Sequence, residues 1–197
     1  MRVSKEKAAE NREALLNAAS KLFREKGIDG VGVAEVAKQA GLTHGALYAH
    51  FPSKDALVAE AFSQGFDGNM AAMRAWAGDR HPSFEAYLDV LFSARMRDKL
   101  AAGCPMTASA SEIARQGAAV SASFAKAFED EVLLIENAFD VTVPTAERRR
   151  LAVASVAAQI GAIAVARAVA KTDMALSDEV LRCTQETIRA SGSAVTV

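Results

Sequence analysis

The sequence has little of what builds small secreted or catalytic folds. Two cysteines in 197 residues are too few for a disulfide framework. Four prolines and twelve glycines exclude a collagen-like or linker-like chain. Of three histidines, His44 and His50 lie close together and His81 stands beside Pro82. There is no CxxC, HExxH, glycine-rich phosphate loop or GxSxG. No catalytic residue, cofactor or metal is therefore expected. No run of about 18 uncharged apolar residues occurs, so no membrane-spanning helix and no membrane partner are expected. The N-terminal MRVSKEKAAENREALL is charged rather than signal-like, and with so few thiols the chain reads as cytoplasmic and reduced.

What is present is a core-forming composition, 51% apolar and 24% charged, enough for one large domain or two small ones. Net charge is −1, unevenly spread. Residues 1–55 hold 9 basic and 7 acidic side chains, and the rest hold 14 and 17. The surplus is a slight pointer to an anionic partner near the N-terminus.

Alanine occurs 43 times and apolar residues recur at helical spacing, so the fold class is all-α. Nine helices are expected, over 5–26, 33–40, 44–50, 54–77, 83–98, 106–115, 118–139, 145–171 and 177–189. Val141-Thr142-Val143 is the single short strand-like run, and the terminal SGSAVTV is expected to fray. Two bodies follow: a three-helix unit over 1–52 and a larger helical domain over 53–197. The helix at 54–77 belongs to the second and touches the first, without a flexible linker.

The informative stretch is VAEVAKQAGLTHGALYAHFPSKDAL, residues 33–57. A helix, a tight Gly41-Leu42-Thr43 turn and a second helix have helix-turn-helix spacing. Val36, Ala37 and Ala40 form the inner face of the first helix. Leu42, Leu47 and Phe51 bury the second, leaving Thr43, His44, Gly45, Tyr48 and His50 outward. With the long first helix and the His50-Phe51-Pro52-Ser53-Lys54 ending, residues 10–60 resemble the DNA-binding domain of the TetR family of bacterial regulators. The resemblance implies a repressor that binds a palindromic double-stranded DNA operator as a homodimer and leaves it when a small-molecule effector binds. Thr43 and His44 would meet base edges, with Gln39 as a further reader. Gly45 would let backbone approach the groove, and Tyr48, His50 and Lys54 would hold phosphates. The chain departs from the family at Gly30-Val31-Gly32-Val33, where many members carry a Ser or Thr cap; Gly32 is a weaker cap.

Aromatic and methionine stripes mark the second body. The resemblance places an effector between the helices at 54–77, 83–98, 106–115 and 118–139. The candidate liners are Phe62, Phe66, Met70, Trp76, Tyr87, Phe92, Met96, Cys104, Met106 and Phe128. Small residues on 145–171 suit close helix approach. Ala154, Ala158, Gly161, Ala162 and Val165, with Val180 and Ile188, are the candidate dimer face; the alternative is a helix central to one subunit. Cys104, at a helix start, admits another reading, a thiol-reactive stress sensor. Cys183 reads as packing. Glu129-Asp130-Glu131 and Arg148-Arg149-Arg150 read as solvated charge runs. A helical ligand-binding module that does not act on DNA is the remaining alternative.

Overall fold

The computed structural model describes residues 4–193, and within them every regular element is a helix. Ten follow in order: α1 (Lys5–Lys26), α2 (Val33–Gln39), α3 (His44–Tyr48), α4 (Lys54–Ala77), α5 (Phe84–Leu91), α6 (Ala94–Asp98), α7 (Pro105–Ile113), α8 (Ala118–Glu136), α9 (Thr145–Val169) and α10 (Met174–Ser193). Their starts are written in side chains. Ser4, Thr43, Ser53, Ser83 and Ser93 each accept a hydrogen bond from a free first-turn amide. Pro105 opens α7, where its missing N–H is no loss.

The expected helix over 83–98 is two. Phe92 leaves helical geometry, and the Ser93 hydroxyl caps the Met96 amide at 3.3 Å while donating to Val90 O at 2.7 Å. A serine that serves both turns ends one helix and starts the next. Val141–Val143 is no strand: the Asp140 carboxylate accepts from the Thr142 amide and hydroxyl, closing a turn. Residues 191–193 continue α10, and the rest of the expected frayed end, 194–197, lies outside the described residues.

Apart from Val143, the buried apolar residues form one continuous cluster from Leu15 to Leu181. Leu15, Leu47, Phe51 and Leu57 fill the junction of α1, α3 and α4; Leu88, Leu91, Met106, Ile135, Leu151 and Ile163 fill the larger bundle. Each such side chain contributes about 1.5–3 kcal/mol by leaving water. α4 packs against both α1 and α8, and α7 against α1, α8 and α9.

α9 is long and apolar enough to cross a bilayer by length and composition, although charged residues interrupt it at both ends. Its buried side (Leu151, Val156, Ile163, Ala166) faces the core. Its other side leaves Ala154, Gly161 and Val165 exposed, Val165 to 50%. Ala162 lies inside the core at 6% exposure, so it is not on that surface, and Ala158, Val180 and Ile188 are half-buried against the core.

Candidate nucleic-acid interface and ligand cavity

The α2–α3 turn is dictated by glycine. Gly41 sits at φ +70, where a side chain is strained. There its N–H donates to Lys38 O, and the Leu42 N–H donates to Ala37 O at 2.9 Å. Ala37 is buried and small, which lets α3 cross closely. Thr43 Oγ1 then accepts from the Ala46 N–H at 3.2 Å and starts α3.

Leu47 and Phe51 pin one side of α3 to the core, and Thr43, His44, Gly45 and Tyr48 are exposed on the other, with Gln39 exposed on α2. Tyr48 is 47% exposed, a large apolar area for a surface residue. Its ring meets the His44 ring edge-on at 5.1 Å and 72°. A Cβ on Gly45 would touch nothing in the chain, so packing within the fold does not require this glycine. His50 is half-buried, its ring tilted against Phe51. The Arg12 guanidinium lies over the Phe51 ring at 4.9 Å from its centroid and pairs with Glu60, tying α1 and α4 to the end of α3.

Lys54 also serves the fold: its ammonium donates to Ile28 O at 2.7 Å and so holds the α1–α2 loop, leaving two further N–H donors. Gly32 is the α2 cap and supplies no side-chain bond, as its residue type requires.

A second feature lies among α4, α5, α6, α8 and α9: a cavity of about 410 Å³. Small-molecule sites occupy this size range. Five of the ten candidate liners are on its wall: Phe66, Met70, Trp76, Met96 and Cys104. Phe62 instead borders a void of about 20 Å³ between α1, α4 and α7. Tyr87 packs edge-on against Trp76, and Phe92 and Met106 are core. Phe128 packs against the core away from the wall.

The polar wall residues were missed. Glu131, read as part of a solvated run, is 5% exposed and has no hydrogen-bond or ion-pair partner among the described residues; burial raises its carboxyl to about 7. Gln159 is 0% exposed, with neither amide atom hydrogen-bonded. A signal existed for both. Glu131 stands four residues from buried Ala127 and Ile135, and Gln159 falls between buried Val156 and Ile163. The neighbouring arginine run is also not simply solvated, because Arg149 makes a fork with Glu129 at 2.6 and 2.8 Å.

Cys104 is the N-cap of α7, yet its thiol is pushed up to about 12 by burial first and then by Glu131. That is the opposite direction from the lowered pKa on which the alternative thiol-sensor reading depends. Both cysteines are free, and Cys183 is exposed.

The cavity and the helix-turn-helix are joined through α7. Gly103 and Cys104, at its start, line the cavity, and Asn69 donates to Gly103 O at 3.0 Å. Towards its end, the Glu112 carboxylate accepts from the Ile28 N–H at 2.5 Å, and just beyond, Gln116 donates to Asp29 at 3.0 Å. Arg24 of α1 donates to Ala101 O at 2.7 Å.

Comparison with known proteins bears on the helix-turn-helix stretch and on the overall fold. Residues 15–61 match the family model described as bacterial regulatory proteins, tetR family. The HTH-type transcriptional regulator AcrR of Shigella flexneri is 41% identical over 59 residues, 30% of this chain and 27% of that protein. The HTH-type transcriptional repressor BepR of Brucella suis biovar 1 is 48% identical over 54 residues, 27% of this chain and 26% of that protein. The chain thus spans about a quarter of the length of these curated relatives. A TetR transcriptional regulator from Legionella pneumophila shares the fold at a TM-score of 0.74, with 17% identity, over 97% of this chain and 99% of that one.

Proposed function

We propose, from the match of residues 15–61 to the tetR family model and the identity of that stretch to curated regulators, that the chain is a homodimeric transcriptional repressor of the TetR family, acting in the bacterial cytoplasm. It binds a palindromic duplex operator and releases it when a small molecule fills the cavity. It acts by binding, without catalysis. Residues 1–52 form the DNA-binding unit and 53–197 the effector-binding and dimerisation unit.

The observation that carries the reading is the exposed, unpartnered face of α3. Thr43, His44, Gly45 and Tyr48 are turned to solvent while Leu47 and Phe51 anchor the helix. Thr43 and His44, at its N-terminal end, offer donors and acceptors to base edges, with Gln39 beside them on α2. Tyr48, His50 and the remaining donors of Lys54 hold phosphates and fix register. Gly45 leaves room for the groove wall. Two such helices about one helical turn of DNA apart match a two-fold operator. Exposed Ala154, Gly161 and Val165 of α9, with Met174 and Leu176 of α10, supply the dimer face.

Release follows from α7, a rod of roughly 13 Å at 1.5 Å per residue. A ligand that displaces Gly103–Cys104 moves the Glu112 end, which holds the α1–α2 loop and hence α2. A coupling of ~1–3 kcal/mol changes operator affinity ~5–150-fold. The thiol-sensor reading loses its basis in the enclosed, protonated Cys104.

The test is selection of bound duplexes from a random pool at two salt concentrations. A palindrome should emerge, and Tyr48→Ala should weaken it about ten-fold or more. Binding without sequence enrichment that vanishes at moderate salt would reduce the reading to non-specific electrostatics.

A further inference from the structure

The cavity wall contains two polar groups that the fold leaves unsatisfied. Glu131 and Gln159 come from adjacent packed helices, α8 and α9; both Gln159 amide atoms are buried without a hydrogen-bond partner, and the buried Glu131 carboxyl is shifted by burial alone, with no hydrogen bond or ion pair among the described residues. A lone buried carboxyl and an unpaired amide each lower stability, since apolar residues of similar size would fill these sites without desolvation loss. The nearby buried or half-buried guanidinium groups do not neutralise Glu131. Arg97 is committed to Asp98, Asp178 and Ser177, and Arg167 to Arg97 O, Met96 O and Thr107.

The other ionisable groups on the wall are Asp89, Arg95 and Lys99, all exposed and screened by water, and the Cys104 thiol, held protonated. The enclosed part of the cavity therefore carries one group able to become negative and none able to become positive. Around it stand the aromatic Phe66 and Trp76 and the adaptable Met70, Met73 and Met96.

We infer that the effector is an organic cation: an apolar or aromatic body bearing a protonated amine, whose N–H groups donate to the Glu131 carboxylate and to Gln159 Oε1. This rests on the reading of the cavity as the effector site. An ammonium satisfies both acceptors and sits against π faces. An anionic headgroup brought to Glu131 meets like charge, and a neutral body leaves the carboxylate unpaired.

The experiment compares 4-phenylbutylamine, 4-phenylbutanol and 4-phenylbutyrate, which share one apolar body. Binding to the full chain is read by fluorescence of Trp76, the single tryptophan, and operator release by anisotropy of a labelled duplex. The amine should bind about ten-fold or more tighter than the alcohol, and the carboxylate weakest. Glu131→Gln should erase the amine's advantage while leaving the alcohol's affinity within about two-fold; Gln159→Leu should reduce the advantage in part. The carboxylate binding best, an amine preference that survives Glu131→Gln, or no binding by any of the three would overturn the inference. Amine selectivity lost in Glu131→Gln but without operator release would uphold the ligand class and defeat the regulatory reading. Operator binding with a neutral or anionic preference would do the reverse.

Discussion

Glu112, near the end of α7, holds the backbone N–H of Ile28, in the loop that leads into α2, at 2.5 Å. The contact leaves no room beside it: a Cβ on Gly27 would lie 2.4 Å from the same carboxylate, and Gly27 itself sits at φ +81. One carboxylate thus joins the bundle that holds the cavity to the helix-turn-helix.

Removing that joint should separate ligand binding from DNA release. Glu112→Ala is expected to lower stability by about 1.5–3 kcal/mol, the range for a charge-assisted bond to backbone. Ligand affinity should stay near wild type while the ligand's effect on operator affinity shrinks. Chemical denaturation with paired ligand and operator titrations checks this. An unchanged ligand effect in Glu112→Ala would place the coupling elsewhere.

The turn before α3 should be intolerant of a side chain for backbone reasons alone. Gly41→Ala meets no neighbour but must hold φ +70, which costs roughly 1–2 kcal/mol. The expected result is that loss in denaturant unfolding, with a parallel fall in operator affinity as α3 loses its orientation. Wild-type stability in this variant would show that the turn relaxes freely.

Stability and DNA binding should part company at Tyr48. The ring is half exposed and meets the His44 ring edge-on. Tyr48→Ala should therefore change folding stability by no more than about 0.5 kcal/mol while operator affinity drops by an order of magnitude. Thr43→Ala should lower both, because its hydroxyl also caps α3, a bond of about 1 kcal/mol.

Glu131 predicts a pH dependence of stability with a definite sign. Its carboxyl titrates at about 7 in the fold against an ordinary 4.5, so between these values the folded state binds more protons than the unfolded one. Stability should fall as pH rises through this window and level off above it. The total is at most about 3 kcal/mol at 1.36 kcal/mol per pH unit, less where water reaches the cavity. Glu131→Gln should flatten the slope in urea titrations at pH 5 and 8. A wild-type slope that persists in the variant would assign the effect to other groups.

The Cys104 thiol, buried and raised to about 12, should escape alkylation. Iodoacetamide at pH 8 should leave Cys104 unmodified in the native protein and modify it after denaturation, as read by peptide mass spectrometry. Native labelling of Cys104 at the rate of a free thiol would restore the sensing reading.

The sequence by itself determined the helices and the helix-turn-helix, because those are local. Ser4 with Gly27 bounds α1, and Ser53 with the residues before Gly78 bounds α4, so both spans are legible to the residue. Gly41 and Thr43 set a turn, and the apolar spacing of Val36, Ala37, Leu47 and Phe51 decides which side of α3 stays outside. The Ser93 junction between α5 and α6 escaped because a serine in a continuous apolar pattern caps only if the backbone turns there.

Only the tertiary structure decided what lines the cavity and how it is tied to the helix-turn-helix. Successive helical residues point about 100° apart, so the run Glu129-Asp130-Glu131 cannot be solvated throughout once α8 is packed: Glu129 meets Arg149 and Glu131 turns inward. An aromatic stripe likewise names the buried face of a helix without saying which members meet a neighbour and which meet space. Phe62 and Phe66 are one turn apart, one beside a 20 Å³ void and the other on a 410 Å³ cavity. The bond from Ile28 to Glu112 spans 84 residues. No local pattern encodes it, because it exists only where the α1–α2 loop and the separately specified α7 come together.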